Sequence, residues 1–226
     1  MNSSLITLEF CVIAIGIVLM LADFWMPAER KKFLAYVAIA ALGGLLLVSL
    51  GGDGICSQFG TAFNGSFVED PLALFFKRFF LVAAILVLFL SAEFSDRLAG
   101  VSEYYSLILF ALAGMLFAAS SNDFAMLFVS IELITITFYV LVSFQRGRLV
   151  SLEAGVKYLI LGALSSAFLV FGIALIWGTT GKFNFNDLAQ VSGQFLDNKI
   201  FLLGKNLEYY QSLMFQWVEG KQGKNA

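Results

Sequence analysis

The sequence predicts an all-α, polytopic transmembrane helical bundle of about six spans with its N-terminus outside. Three observations predict it. Apolar residues make up 60% of the 226 and charged residues 13%, against about 45–50% and about 25% in soluble domains. The apolar residues fall in continuous runs of about 14 to 24, which suits membrane helices and not the alternation of a membrane barrel. Finally, the basic residues collect in alternate loops, as the positive-inside bias requires of a chain that crosses and recrosses a bilayer.

The expected first span, residues 5–24, carries Glu9 near its start and Asp23 near its end. Both are most simply interfacial. No basic segment precedes this run, so it is expected to remain as a span and not to act as a signal peptide. Arg30, Lys31 and Lys32 follow, then a second span at 33–50 and a Gly-rich loop, GGDGICSQFGTAFNGSFVED, with three acids and no base. The third span, 71–91, holds Lys77 and Arg78. A connector of mixed charge carrying Arg97 leads to the shortest span, 106–119, and the tight turn SSND. The fifth span, 124–144, contains Glu132. After a loop with Arg146 and Arg148 comes the sixth, 154–177, with Lys157. A seventh begins at Ile200 and is expected to abort after about four residues, far short of the roughly 20 a span needs. Leu203, Leu207, Tyr210, Met214 and Trp217 then fall near one helical face. An interfacial amphipathic helix would give that pattern, and so would chance periodicity in a polar tail. The expected organisation is therefore a membrane unit over 1–198 and an aborted span with its tail over 199–226.

Net charge is −2, which offers no basic surface to nucleic acid. The chain has no histidine and two cysteines, Cys11 and Cys56. His-ligated haem, a four-Cys iron–sulfur cluster and a His/Cys zinc site are all beyond it. No cofactor or metal is expected in this chain, and redox chemistry would belong to partner subunits. The sequence offers no nucleophile–base pair, phosphate loop or paired-carboxylate signature of a self-contained enzyme. The lipid bilayer is its first partner.

The informative residues are the charges inside apolar sequence, because each is costly in hydrocarbon unless protonated, paired or hydrated. Glu132 lies nine residues past Asp123, roughly 13 Å along a helix. That is near the bilayer midplane, beyond the reach of a glutamate to the interface. It must be protonated or matched by a cation. Lys157 is the candidate cation, and such a pair could store or release a proton as its separation changes. Lys157 could instead bond Glu153 at i,i+4 spacing. Ser130 and Thr135 offer Glu132 hydrogen bonds at best. Lys77 could snorkel outward or face protein or water, whereas Arg78 is expected to snorkel outward. The small residues Gly155, Gly162, Ala163, Ser165, Ser166 and Ala167 suit close helix packing.

The stretch SNDFAMLFVSIELITITFYVLVSF, followed by LEAGVKYLILGALSSAFLVFGIALIWGTTG, resembles the antiporter-like, proton-translocating membrane subunits of respiratory complex I, the subunit N family of NADH–quinone oxidoreductase. Asp123, Phe128, Glu132 and Leu133 fall on that family's D-x-x-x-x-F-x-x-x-E-L pattern. Glu153, Ala154, Lys157, Tyr158, Gly162, Ser165 and Ser166 fall on its E-A-x-x-K-Y-x-x-x-G-x-x-S-S signature. The resemblance covers residues 5–203, fades at Leu203-Gly204, and corresponds to the N-terminal part of the family pattern. It implies a bacterial plasma-membrane (inner-membrane) subunit of a proton-translocating NADH–quinone oxidoreductase. Its partners would be the other membrane subunits of complex I, and NADH, flavin, iron–sulfur clusters and quinone would reside on partner subunits. It also implies that Glu132 and Lys157 take part in proton translocation, with Lys77 and Glu153 as possible further members of the path. A multisubunit cation/proton antiporter, a membrane-bound hydrogenase subunit and a non-pumping structural subunit are the alternatives.

Overall fold

A computed structural model of the chain describes residues 3–22, 31–51, 59–92, 100–195 and 198–206. A 3-10 turn, Ser3–Ile6, leads into α1, Thr7–Ala22; α2 is Lys31–Leu50. An antiparallel hairpin follows, β1 Gly60–Ala62 and β2 Phe67–Glu69, in the register Gly60↔Glu69. Then come α3, Pro71–Ala92; α4, Val101–Ala119; α5, Phe124–Val142; and α6, Leu149–Thr180. The short α7, Phe185–Val191, runs into a 3-10 turn, Ser192–Phe195, and residues 199–206 are again helical.

Five of these helices, α2 to α6, are long and apolar enough to cross a membrane, whereas α1 is a shorter apolar helix of 16 residues. Local chemistry sets their ends. Pro71 suits the first helical position of α3, where no amide hydrogen is needed, and Asp70 Oδ1 accepts from the Ala73 amide at 2.6 Å. Asp123 caps α5 in the same way, accepting from the Met126 amide at 2.6 Å. A free helix start leaves such amides without partners, so each cap contributes about 0.5–2 kcal/mol. Gly181, at φ 66°, closes α6 by turning its amide back onto the Trp177 carbonyl at 2.7 Å.

The main core joins α1 to α4 through fully buried side chains such as Val12, Leu42, Leu81, Leu88, Leu112 and Leu116. A second, smaller core packs Phe124 of α5 against Leu169, Ile173 and Ile176 of α6 and against Phe201. The outward faces remain apolar: Phe75, Phe79, Leu86 and Leu90 of α3 are all exposed. Among described residues this is the surface expected of helices that meet lipid.

The hairpin ties one end of the bundle together. The Val68 amide donates to the Ser120 carbonyl, and the Asn122 amide to the Ser66 carbonyl, both at 2.8 Å. The Nδ2 groups of Asn122 and Asn184 both donate to the Gly65 carbonyl, at 2.8 and 3.1 Å. The hairpin, the α4–α5 turn and the start of α7 therefore form one hydrogen-bonded cover over this end.

Several expectations need correction. The fourth helix starts at Val101, not 106, because Ser102 and Tyr105 are buried against the bundle and not part of a polar connector. The sixth starts at Leu149 and ends at Thr180, not 154 and 177. At 1.5 Å per residue its 32 residues measure about 48 Å, well beyond a hydrocarbon core of about 30 Å. Glu9 is buried inside the bundle and is not interfacial. Arg78 does not reach free into solvent; it donates from Nε to Ser49 Oγ at 3.1 Å and from a terminal nitrogen to the Ser49 carbonyl, at the end of α2. Where the aborted seventh span is expected, residues 199–206 are helical, far short of the roughly 20 a span needs. Asp23, the cluster from Arg30, Cys56, Arg97 and the expected amphipathic tail from Leu207 lie outside the described residues or their described side chains.

Candidate functional site

α5 places Glu132 about two and a half turns below the Asp123 cap, on the side that meets α6. Its Oε1 accepts a short hydrogen bond from Ser166 Oγ. The side chain borders a cleft of about 570 Å³ between the two helices, walled by Ile136, Tyr139, Val140, Val156 and Leu159. Ser130 and Thr135 do not serve the carboxylate. Their hydroxyls donate to carbonyls of their own helix, Met126 at 2.7 Å and Glu132 at 3.1 Å. The small residues expected for packing make this arrangement possible: a Cβ at Gly162 would stand 1.9 Å from Tyr139 Oη, and one at Gly155 2.5 Å from Ser143 Cβ.

The expected Glu132–Lys157 pair is not formed. Lys157 Nζ lies 2.5 Å from Glu153 Oε1, one turn earlier on α6, and both side chains are two-thirds exposed. The physical reason is spacing along α6. Lys157 precedes Ser166 by nine residues, about 13.5 Å along the axis, so the serine that meets Glu132 is far from the lysine. The structure brings Glu153 and Lys157 together and leaves Glu132 with a hydroxyl.

A different charge cluster lies under the hairpin. Lys77 Nζ, from α3, meets Glu9 Oε1 of α1 at 2.5 Å and also bonds Glu69 Oε2 of β2. The three side chains are 1%, 0% and 4% exposed. Ser120 Oγ donates to the same Glu69 oxygen at 3.0 Å, and the ammonium stands 4.8 Å from the centroid of the Phe67 ring. Sequence reasoning singled out Lys77 but missed Glu69. The available signal was a loop with three acids and no base placed directly before a span with a deep lysine. Burial pushes the Glu69 carboxyl above the ordinary carboxylate range; Lys77 opposes that shift and the Glu9 charge adds to it. Among the described residues no group of His, Cys, Asp and Glu could hold a metal ion.

Residues 121–216 match the family described as "NADH:quinone oxidoreductase/Mrp antiporter, TM". NADH-quinone oxidoreductase subunit N of Moorella thermoacetica is 35% identical over 190 residues, 84% of this chain and 39% of that protein. The subunit N of Chloroflexus aggregans is 42% identical over 174 residues, 76% of this chain and 35% of that one. The chain belongs to this family. It is a multi-pass protein of the plasma membrane, and it spans about two-fifths of the length of the relatives it matches. A chain of respiratory complex I from Thermus thermophilus superposes with a TM-score of 0.68 at 26% identity, covering 89% of this chain and 42% of that one. The family match over residues 121–216 takes in Glu132, Glu153, Lys157 and Ser166 but not Glu9, Glu69 and Lys77.

Proposed function

We propose that the chain acts as a membrane subunit of NADH–quinone oxidoreductase, in which Glu132 takes up and releases a proton during redox-driven translocation. The observation that carries this reading is a carboxylate deep in an apolar helix, at the rim of a cleft, with one hydroxyl as its hydrogen-bond partner among the described residues. Ser166 orients the carboxylate, because its hydroxyl can donate to the ionised form and accept from the protonated one. Glu153 and Lys157 form an exposed pair at the start of α6. That position suits exchange of protons with solvent at the end of the bundle opposite the hairpin, and Lys77 would serve the hairpin end. The names of the relatives favour this over an antiporter, hydrogenase or scaffold role. NADH, flavin, iron–sulfur clusters and quinone would be held by partner subunits, alongside the other membrane subunits of the complex.

Glu132→Gln in the assembled complex tests it. Gln keeps the shape and the Ser166 contact but cannot ionise. Proton movement per NADH oxidised in membrane vesicles should fall sharply while the complex still assembles. Unchanged proton movement with normal assembly would leave Glu132 a structural role only.

A further inference from the structure

We propose that Glu9, Lys77 and Glu69 form a second protonation site under the hairpin, in which one exchangeable proton is shared by the two carboxylates at neutral pH. One ammonium faces two carboxylates, and all three are buried. Fully ionised, the cluster would carry an uncompensated negative charge in a low-dielectric interior, which is costly even after relaxation. Uptake of one proton from solvent brings it to neutrality, with Lys77 still charged and one carboxyl protonated.

The surrounding groups do not supply the missing positive charge. Arg78, the next residue on α3, is turned to Ser49 of α2. Asp70 beside Glu69 is exposed and capped onto Ala73, and Asp123 of α5 is capped onto Met126. From α4 the cluster receives the Ser120 hydroxyl, and from β2 the Phe67 ring face, neither of them charged. No other charged group among the described residues makes an ion pair to the three.

The hydrogen bonds point the same way. Glu69 Oε2 receives both Lys77 and Ser120. Glu9 meets only the ammonium, as an ion pair through Oε1, and its Oε2 has no hydrogen-bond partner among the described residues. A fully buried carboxylate oxygen without a donor is costly, whereas a carboxylic acid there leaves no lone anion to satisfy. Because the two acids contact one cation, the proton belongs to the pair and not to either residue. Glu69 adjoins exposed Asp70 at the rim of the hairpin, so the site lies one residue from water. The cluster also joins four elements, since Glu9 arrives on α1, Glu69 on β2, Lys77 on α3 and Ser120 at the end of α4.

Infrared difference spectra of the full chain in lipid vesicles test this, read as the protonated-carboxyl C=O band at pH 7 and its shift in heavy water. The wild type should show such a band. It should be lost or cut in Glu9→Gln or in Glu69→Gln, each of which turns the cluster into a neutral pair of similar shape. Glu132→Gln should leave that component in place, which separates this site from the one on α5. Absence of the component from wild type, its persistence in both Glu9→Gln and Glu69→Gln, or its loss in Glu132→Gln alone would overturn the proposal. The two single variants report independently, so the failure of one to fold leaves the other decisive.

Discussion

Glu69 and Lys77 meet although a strand delivers one and a helix the other. The contact depends on β2 lying across the start of α3, two turns above the lysine. This geometry gives Glu69 a predictable pH signature. Its carboxyl is raised above the ordinary value of 4.5, first by burial. The folded state therefore prefers the protonated form more than the unfolded chain does. That contribution to stability is fully present below the ordinary carboxylate value and is lost as pH rises through the raised one. Glu69→Gln removes the titration while keeping an acceptor for Lys77 and Ser120. Across acidic to neutral pH the unfolding midpoint of wild type in detergent should fall relative to that of Glu69→Gln. A constant difference between the two would remove ionisation of Glu69 from the account.

At the scale of elements, what was legible in the sequence was what local chemistry decides. The α5 start was visible in SSND, because Asp123 is an N-cap three residues before an amide it satisfies. The small residues of α6 did mark a packing seam. The start of α6 was not legible. RLVSLE reads as a loop by charge, yet the helix runs through it with Leu149 and Val150 about four-fifths exposed. With the helix running from Leu149, Glu153 and Lys157 stand one turn apart on α6 and bond each other. Glu9 could not be read either, since its partner, Lys77, comes from α3, 68 residues away in the chain. The seam itself makes a prediction. A Cβ at Gly155 would stand 2.5 Å from Ser143 Cβ and 3.3 Å from Ser143 Cα. Backbone cannot yield as a side-chain tip can, so Gly155→Ala should push α5 and α6 apart and cost about 1–3 kcal/mol, as overpacking does. Thermal unfolding in detergent checks it, and an unchanged midpoint would show that the helices part without cost.

Across the whole molecule, burial is uneven in a way that divides stability from function. In α4, 56% of the membrane window is buried, against 11% in α5 and 28% in α6. The α4 helix is surrounded by α1, α2, α3 and α5 and is closed over by the hairpin, so opening it breaks a core and a hydrogen-bonded cover together. The α5–α6 pair is fixed at the hairpin end by Phe124, Leu169 and Ile176, but at the other end it encloses the open cleft beside Glu132. Local opening follows the density of buried contacts, and segments with few of them exchange amide hydrogens at low free-energy cost. In hydrogen–deuterium exchange of the chain in lipid nanodiscs, the amides of α4 should be the slowest. Those of α5 beyond Glu132 and of α6 before Gly162 should exchange faster, while the α5 amides next to the Asp123 cap stay protected. Such a gradient along one helix is what a proton site needs: one end anchored, and the end that lines the cleft free to admit water. Uniform protection of α5 from end to end would mean that the cleft is closed in the membrane, and Glu132 would then need another route to solvent.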